Sequence, residues 1–504
     1  MKKIHLIFVT IIFFVIIGYF QKIQALSFPF VDEQYNFAIG KYLLNKEILY
    51  DDIITNHQPI THIFSALVQD IRKPNTTFSS VKTHREAVVI WSAIWGLIMV
   101  IYFGLAGLVF VIVYELTKGY MLGNLFLAEG FAVYPLIFAA GMAVYKKNPD
   151  KLTLIILGVS LTLVFFTLGP VWPALAFLIL LLGFNLKNLK VKIPLILLGF
   201  LIVFILVAKY TSITGYIKDY LYLNSVYTVP QYHSTHYQES WLMTILKSFV
   251  SPLISFVSKD VTDILLIVRW LTILLIINMI FLVKKGQFKK VLIIFILLGL
   301  TNIRFVSPGI GSYQGFHILP WYATLIFLSI VLITQHLKKN TSYLLKGVNL
   351  GIVIVLLFLS FTYQKNSFSK KDIQLEYTIN YSTHTDIGQI IGIMKSNQDT
   401  LFVSPDAWLV YWQSDANHLP KLYGYYAWMS GIPDFRNRII ESFEKDPPTF
   451  FFCEDCKGLD LGKYLIKYDR IKRNGAETNL YVLSKKIKSL TDIQKEKLKF
   501  YGVD

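Results

Sequence analysis

Two carboxylates stand side by side in Val31-Asp32-Glu33-Gln34-Tyr35, just past the end of an N-terminal apolar run. Adjacent acids at the exit of a membrane helix suit proton abstraction from an acceptor hydroxyl or amine, if solvent access is low and the proton lies within hydrogen-bond reach. A solvated loop also carries acids, and the pair alone does not separate the two readings. Further on come Tyr50-Asp51-Asp52 and Asn56-His57-Gln58-Pro59, leading into an amphipathic stretch from Thr61 to Val68. His57 can bind a phosphate oxygen when protonated or ligate a metal, although a single loop histidine more often does neither. Arg85 and Arg304 fall at expected outer ends of apolar runs, where a guanidinium fork matches phosphate, whether of a substrate or of a lipid headgroup. Glu129, near an expected outer turn, is an acid among apolar residues and needs a reason to be there.

The elements that must position these side chains are set by composition. Of the 504 residues, 54% are hydrophobic and only 16% charged, which is too apolar for a water-soluble domain of this length. Apolar runs long enough to cross about 30 Å of hydrocarbon recur from Ile4 to Tyr363, separated by short Lys-rich clusters. The formal net charge of +17 therefore reads as positive-inside anchoring and not as a nucleic-acid surface. Residues 1 to 20 have the basic start of a signal peptide, but Tyr19, Phe20, Gln21 and Lys22 close the run with no small-residue cleavage pattern. An uncleaved first transmembrane helix is expected. Cys453 and Cys456 are the only cysteines, so no disulfide framework is implied, although their spacing permits a local bridge in an oxidising compartment.

Lys2 and Lys3 hold the N-terminus on the cytoplasmic side, which delivers residues 21–86 to the opposite face as a long polar loop. One span from Ala87 to Leu116 is expected to return to an inward anchor at Lys118, and Tyr120 to Tyr145 to form a tight helical pair or re-entrant hairpin ahead of Lys146, Lys147 and Lys151. Leu152 to Phe184 is a further pair, broken at Gly169-Pro170 because proline removes a backbone donor and glycine tolerates the turn. Lys187, Lys190 and Lys192, then Lys284, Lys285, Lys289 and Lys290, then Lys338 and Lys339 mark the inside, and residues 209–262 form a second large outer loop. The count reaches about eleven crossings, with residues 1–363 in the membrane domain and 364–504 in a small extracytoplasmic α/β domain. In that domain a helix over Asp386 to Asn397 and strands over Thr400 to Val403, Thr449 to Cys453 and Asn479 to Leu483 are expected.

The order of these features resembles the bacterial and archaeal relatives of dolichyl-phosphate-mannose-protein mannosyltransferase and aminoarabinose transferase. The shared features are the helix exit followed by Asp32-Glu33-x-Tyr35, His57-x-Pro59 before an amphipathic segment, an acid in the second outer turn, and Gly169-Pro170 between spans. Phe316-His317-Ile318-Leu319-Pro320 is similar to the family's late polar-and-proline span, and Pro405-Asp406-Ala407-Trp408 with Pro447-Pro448-Thr449 to its outer C-terminal domain. The sequence departs from the pattern at His57-Gln58-Pro59, where many relatives have a basic residue or His before two prolines.

The resemblance implies an α-helical polytopic membrane protein of the C-type glycosyltransferase fold, in the cell membrane. Such enzymes move a sugar from a polyprenyl-phosphate donor to an acceptor on the outer face with inversion at the anomeric carbon. It implies Asp32 as general base, Glu33 as the neighbour that sets acceptor position, and Glu129 as the second acidic site. The candidate cations for stabilising the leaving phosphate are His57, Arg85, Arg304 and His317. A divalent cation assists some relatives, but no spaced ligand cluster in this sequence demands one, and no cofactor is assigned. The family's acceptors vary, so the acceptor stays open. A transporter or flippase of lipid-linked saccharides is the rival reading, and it predicts charges in mid-span and inverted repeats.

Overall fold

The computed structural model describes the chain apart from residues 1–2, 28–31, 146–148, 186–188, 237–239, 258–262, 303–314, 338–342, 369–377, 379–380, 405–406, 420–421, 424–430, 457–458, 460 and 504. Along the chain come α1 (Lys3–Ile23), α2 (Glu33–Leu44), β1 (Ile53–Ile54), α3 (Pro59–Arg72), α4 (Thr77–Phe103), α5 (Leu105–Thr117), α6 (Ala128–Tyr145), α7 (Lys151–Thr167), α8 (Trp172–Asn185) and α9 (Leu189–Tyr210). Longer helices follow at Trp241–Val257, Asp263–Lys284, Phe288–Thr301, Leu319–Leu337 and Tyr343–Phe368, ahead of the strand-bearing C-terminal part. The chain forms two compact units, one of Met1–Pro29, His84–Leu206 and Glu239–Ile373, the other of Phe30–Thr83, Val207–Gln238 and Gln374–Asp504.

The first unit is a bundle of apolar helices. Among the described residues six helices are long and apolar enough to cross a membrane, and three shorter apolar ones lie at Lys151–Thr167, Gly169–Asn185 and Gly347–Thr362. Ile4, Phe8 and Val15 on α1, Val191 and Ile205 on α9, and Leu350 and Phe358 near the end of the bundle's sequence are all exposed. That much apolar surface needs hydrocarbon as its solvent. The segment Gly315–Ile333 is buried along its whole length, so it is the helix around which the others are arranged.

The expected pair over Leu152 to Phe184 is present, with a 3₁₀ turn at Gly169–Val171 between α7 and α8. The region before it differs from expectation. The run from Ala87 to Leu116 is two helices, because Gly104 adopts a φ of +61° and turns the chain between α4 and α5. Residues 120–145 supply one long helix, α6, after a 3₁₀ turn at Lys118–Met121. Lys118 is therefore no loop anchor. Its ammonium is fully buried, 2.7 Å from Glu115 and 2.9 Å from the Ser92 hydroxyl, and Tyr134 donates to the other Glu115 oxygen at 2.8 Å. Lys151, Lys190, Lys192, Lys284, Lys289 and Lys290 do sit at helix ends, whereas Lys146, Lys147, Lys187, Lys338 and Lys339 lie outside the described residues.

The second unit joins residues far apart in sequence. Its five-stranded mixed sheet runs β3 (Asn417–His418), β2 (Thr400–Ser404), β5 (Phe450–Cys453), β7 (Ala476–Leu483), β6 (Tyr468–Arg473), parallel across the first three strands and antiparallel across the rest. Asn474 and Gly475 have φ of 49° and 78°, the left-handed pair that a tight hairpin between β6 and β7 requires. Phe402, Phe451 and Tyr468 on one side of the sheet pack against Phe443 of the helix Pro433–Lys445, and Cys453 is bonded to Cys456.

Against the C-terminal part stand α2 and α3, which replace the loop expected there. Trp412 donates to Gln69 at 2.8 Å, Lys41 donates to the Trp412 carbonyl at 2.8 Å, and Tyr42 donates to the Ala416 carbonyl at 2.9 Å. Strand β1 pairs with β4 (Leu422–Tyr423). The second expected loop is also largely helical, with π-helical turns at Tyr216–Tyr222 and Asn224–Thr228.

Candidate active site

Asp32 is the cap residue of α2 and Glu33 its first helical residue, so both carboxylates face the positive end of the helix dipole. Their surroundings differ. Asp32 is half-buried, while Glu33 has no exposed surface. A base must reach its substrate, so the more accessible acid suits proton removal and the enclosed one suits positioning.

Helix α3 runs alongside α2 and starts at Pro59, whose fixed φ favours the first helical position. The ring of Tyr35 lies 4.9 Å from that of His57, 5.3 Å from His62 and 4.4 Å from Trp408, and its hydroxyl bonds to Thr55. The segment before α3 is fixed on every side. Thr55 accepts from the His57 amide at 3.0 Å, and Tyr50 donates to the His57 carbonyl at 2.7 Å. Tyr216 donates to the Gln58 side chain at 3.0 Å, and Asn224 to the Asn56 carbonyl at 3.0 Å. Both partners come from the π-helical turns, a geometry frequent at functional sites. Burial pushes the Tyr50 hydroxyl well above its ordinary pKa, with the nearby Tyr220, Tyr216 and Tyr35 adding to it, so it stays a donor.

His62 has no exposed surface, and burial, reinforced by His57, holds its pKa well below the ordinary histidine value. Its ring is neutral at pH 7, and neither nitrogen has a hydrogen-bond partner among the described residues. The same holds for Gln34 Oε1, Asn56 Oδ1 and Gln58 Nε2. Each such group costs about 1–3 kcal/mol if nothing polar meets it, so the cluster suits a hydroxyl-rich molecule that both donates and accepts.

In the helical unit, Arg85, Glu129 and His317 are all buried and come to the same end of the bundle. Arg85, near the start of the unit's share of α4, donates to the carbonyl of Ala25 just past α1. His84 beside it meets Phe126 edge-on at 4.8 Å, and Phe126 packs on Phe131 in the first turns of α6, which include Glu129. His317 lies in the 3₁₀ turn Gly315–Ile318, and the adjacent Leu319 approaches Gly123 in the loop leading to α6. Arg304 and the Pro405-Asp406 pair lie outside the described residues. Among the described residues no group of three or more His, Cys, Asp or Glu is placed to hold a metal ion.

Two solved structures match the chain almost end to end. Crystal structures of ArnT from Cupriavidus metallidurans, one in the apo state and one bound to undecaprenyl phosphate, superpose with TM-scores of 0.51 and 0.52. Each match covers 94% of this chain and 97% of the other at 10% identity. The chain has the ArnT fold. No family model matches the sequence, and no curated protein does. A multi-span helical body followed by a mixed-sheet C-terminal part is thus common to this chain and ArnT, as the resemblance read from the sequence implied.

Sequence reasoning missed His62, Gln34 and the Glu115–Lys118–Tyr134 network. Signals for two of them were there. Gln58 and His62 are four apart across a helix start, and Glu115 and Lys118 three apart, spacings that place side chains on one helix face.

Proposed function

We propose that this protein is an integral membrane glycosyltransferase that moves a sugar from a polyprenyl-phosphate donor to an acceptor on the outer face of the membrane. The observation that carries the reading is the end-to-end match to ArnT, one of whose structures holds undecaprenyl phosphate. Asp32 takes the proton from the acceptor hydroxyl or amine as that atom attacks the anomeric carbon. The bond from that carbon to the phosphate oxygen breaks on the opposite side, its electron pair leaves with the polyprenyl phosphate, and the anomeric configuration inverts.

Glu33, enclosed beside the base, sets the acceptor's position, and Glu129 carries the second acidic role that the resemblance gives it. The charge that develops on the leaving phosphate calls for cations already in place, a role assigned to Arg85, Arg304, His317 and His57. The neutral His62 with Gln34, Asn56 and Gln58 supplies the mixed donors and acceptors that sugar hydroxyls need. The Cys453–Cys456 bond supports an outer, oxidising location for the C-terminal part.

The test is incubation of membranes containing the protein with radiolabelled polyprenyl-phosphate sugars. Label is expected to pass to an acceptor fraction. Membranes that transfer no label from any polyprenyl-phosphate sugar would refute the reading.

A further inference from the structure

At the far end of the α2–α3 pair from Asp32 the two helices and the helix Trp408–Ser414 enclose a cleft of about 320 Å³. We propose that this cleft binds an anionic saccharide, the distal part of the acceptor, an assignment that rests on the glycosyltransferase reading. The volume is at the lower end of small-molecule sites, about 300 Å³ and above.

The side chains around it divide by what is already engaged. Lys41 is held by the Trp412 carbonyl and by Asp415, both at 2.8 Å, and Asp415 also meets Lys395 at 3.2 Å. The indole nitrogen of Trp412 is taken by Gln69. Gln413 accepts the Thr77 amide through its oxygen at 3.2 Å, and Asn75 accepts the Ser79 hydroxyl at 3.5 Å, which leaves both amide NH₂ groups to donate. Lys73 makes no ion pair among the described residues. Asn45, which also lines the cleft, keeps an amide that both donates and accepts; the other side-chain groups left over are donors, one of them a full positive charge, so a ligand for them must be rich in oxygen and carry negative charge.

Lys73 also caps α3 with a φ of 45°, a left-handed position that glycine fills more easily. Non-glycine residues kept in such conformations concentrate at ligand clamps. Along the 12-residue helix α2 the cleft residues Lys41 and Leu44 lie about 14 to 18 Å from Asp32 at 1.5 Å per residue. One sugar ring cannot occupy both places. An acceptor several units long can, with its reacting end at Asp32 and an acidic unit held by Lys73, so that remote binding energy supports reaction.

The experiment is calorimetric titration of the full chain in nanodiscs, without donor, using tetragalacturonate, a phosphorylated maltotetraose and neutral maltotetraose. At least one acidic probe should bind, about tenfold tighter than the neutral one, and Lys73→Gly should lose about that factor. The two acidic probes decide between carboxylate and phosphate. Because glycine suits the left-handed backbone, this substitution does not threaten folding, and Asn75→Ala provides a second, weaker loss. Equal binding of acidic and neutral probes, no binding of any, or unchanged affinity in Lys73→Gly would overturn the proposal. Titration also separates the two claims. Binding that depends on Lys73 in a protein without transfer would remove the enzyme reading and leave an anionic-saccharide site, whereas normal transfer with an inert cleft would remove only this inference.

Discussion

Gly40 is where α2 and α3 come closest, and replacing it tests whether that contact holds the site. A Cβ there would stand 2.5 Å from Ser65 Oγ and 2.8 Å from the Ala66 nitrogen, against ordinary contacts of about 3.4 Å or more. Gly40→Ala must therefore push the helices apart by roughly 1 Å, and overpacking of this kind costs about 1–3 kcal/mol. The gain in helix propensity, about 1 kcal/mol, offsets part of it. The net cost of up to about 2 kcal/mol, at about 2–4 °C per kcal/mol for a unit of roughly 200 residues such as the one that holds α2 and α3, should lower that unit's apparent melting temperature by up to about 8 °C. Asp32 rides on α2 and the His57–Gln58 segment leads into α3, so the same shift misaligns the two halves of this cluster. A displacement near 1 Å can lower transfer by about 100-fold. The matched control is Gly351→Ala, where nothing lies within 4 Å and only the propensity gain applies. Melting of the two purified variants in detergent, with transfer measured beside it, gives the answer. If Gly40→Ala were as stable and active as Gly351→Ala, the close packing of α2 on α3 would not be what fixes the site.

Three further outcomes follow from particular side chains. His62 has a folded pKa below its ordinary value near 6.5, so the unfolded chain binds more protons, and the stability due to its neutral burial is lost as pH falls below that value. Melting curves from pH 7.5 to 5.5 should show acid destabilisation that His62→Phe diminishes, and an unchanged slope would count against it. Lys118→Met strands the buried Glu115 carboxylate and should cost about 3–5 kcal/mol, partly restored by adding Glu115→Gln; equal melting of wild type and single variant would mean the pair is not buried together. With Cys453 and Cys456 replaced by serine, a cysteine at Asn45 should label from outside intact cells and one at Gly286 only after permeabilisation, and labelling of both from one side would invert or abolish the proposed topology.

The bundle was legible because crossing a bilayer demands long apolar runs, and these stand out in any window of the sequence. The break at Gly104 was not, since Phe103-Gly104-Leu105 is apolar throughout and one glycine does not distinguish a turn from a helix interior. Lys118 beside Gly119 imitates a loop anchor, and only its distance from Glu115 hints at a buried pair. Helix α2 was hidden for another reason. It is enclosed on nearly every face by α3 and by residues such as Trp412 and Ala416 from the other end of the chain, so Glu33, Gln34 and Asn36 are buried without an amphipathic stripe to mark them. The Asp32-Glu33 pair was visible by type and spacing, but the difference in exposure that suggests separate roles comes from the fold alone.

The central claim is that Asp32 removes a proton during sugar transfer, and turnover of purified Asp32→Asn measured beside donor affinity tests it directly. Loss of a general base typically costs about 10²- to 10⁴-fold in rate, while a substitution at a half-exposed cap should alter stability by only about 1 kcal/mol. The account predicts a normally inserted protein that binds polyprenyl-phosphate sugar with near-native affinity, transfers it at least about 100-fold more slowly, and is impaired more than Glu33→Gln. Near-native turnover by Asp32→Asn would contradict it.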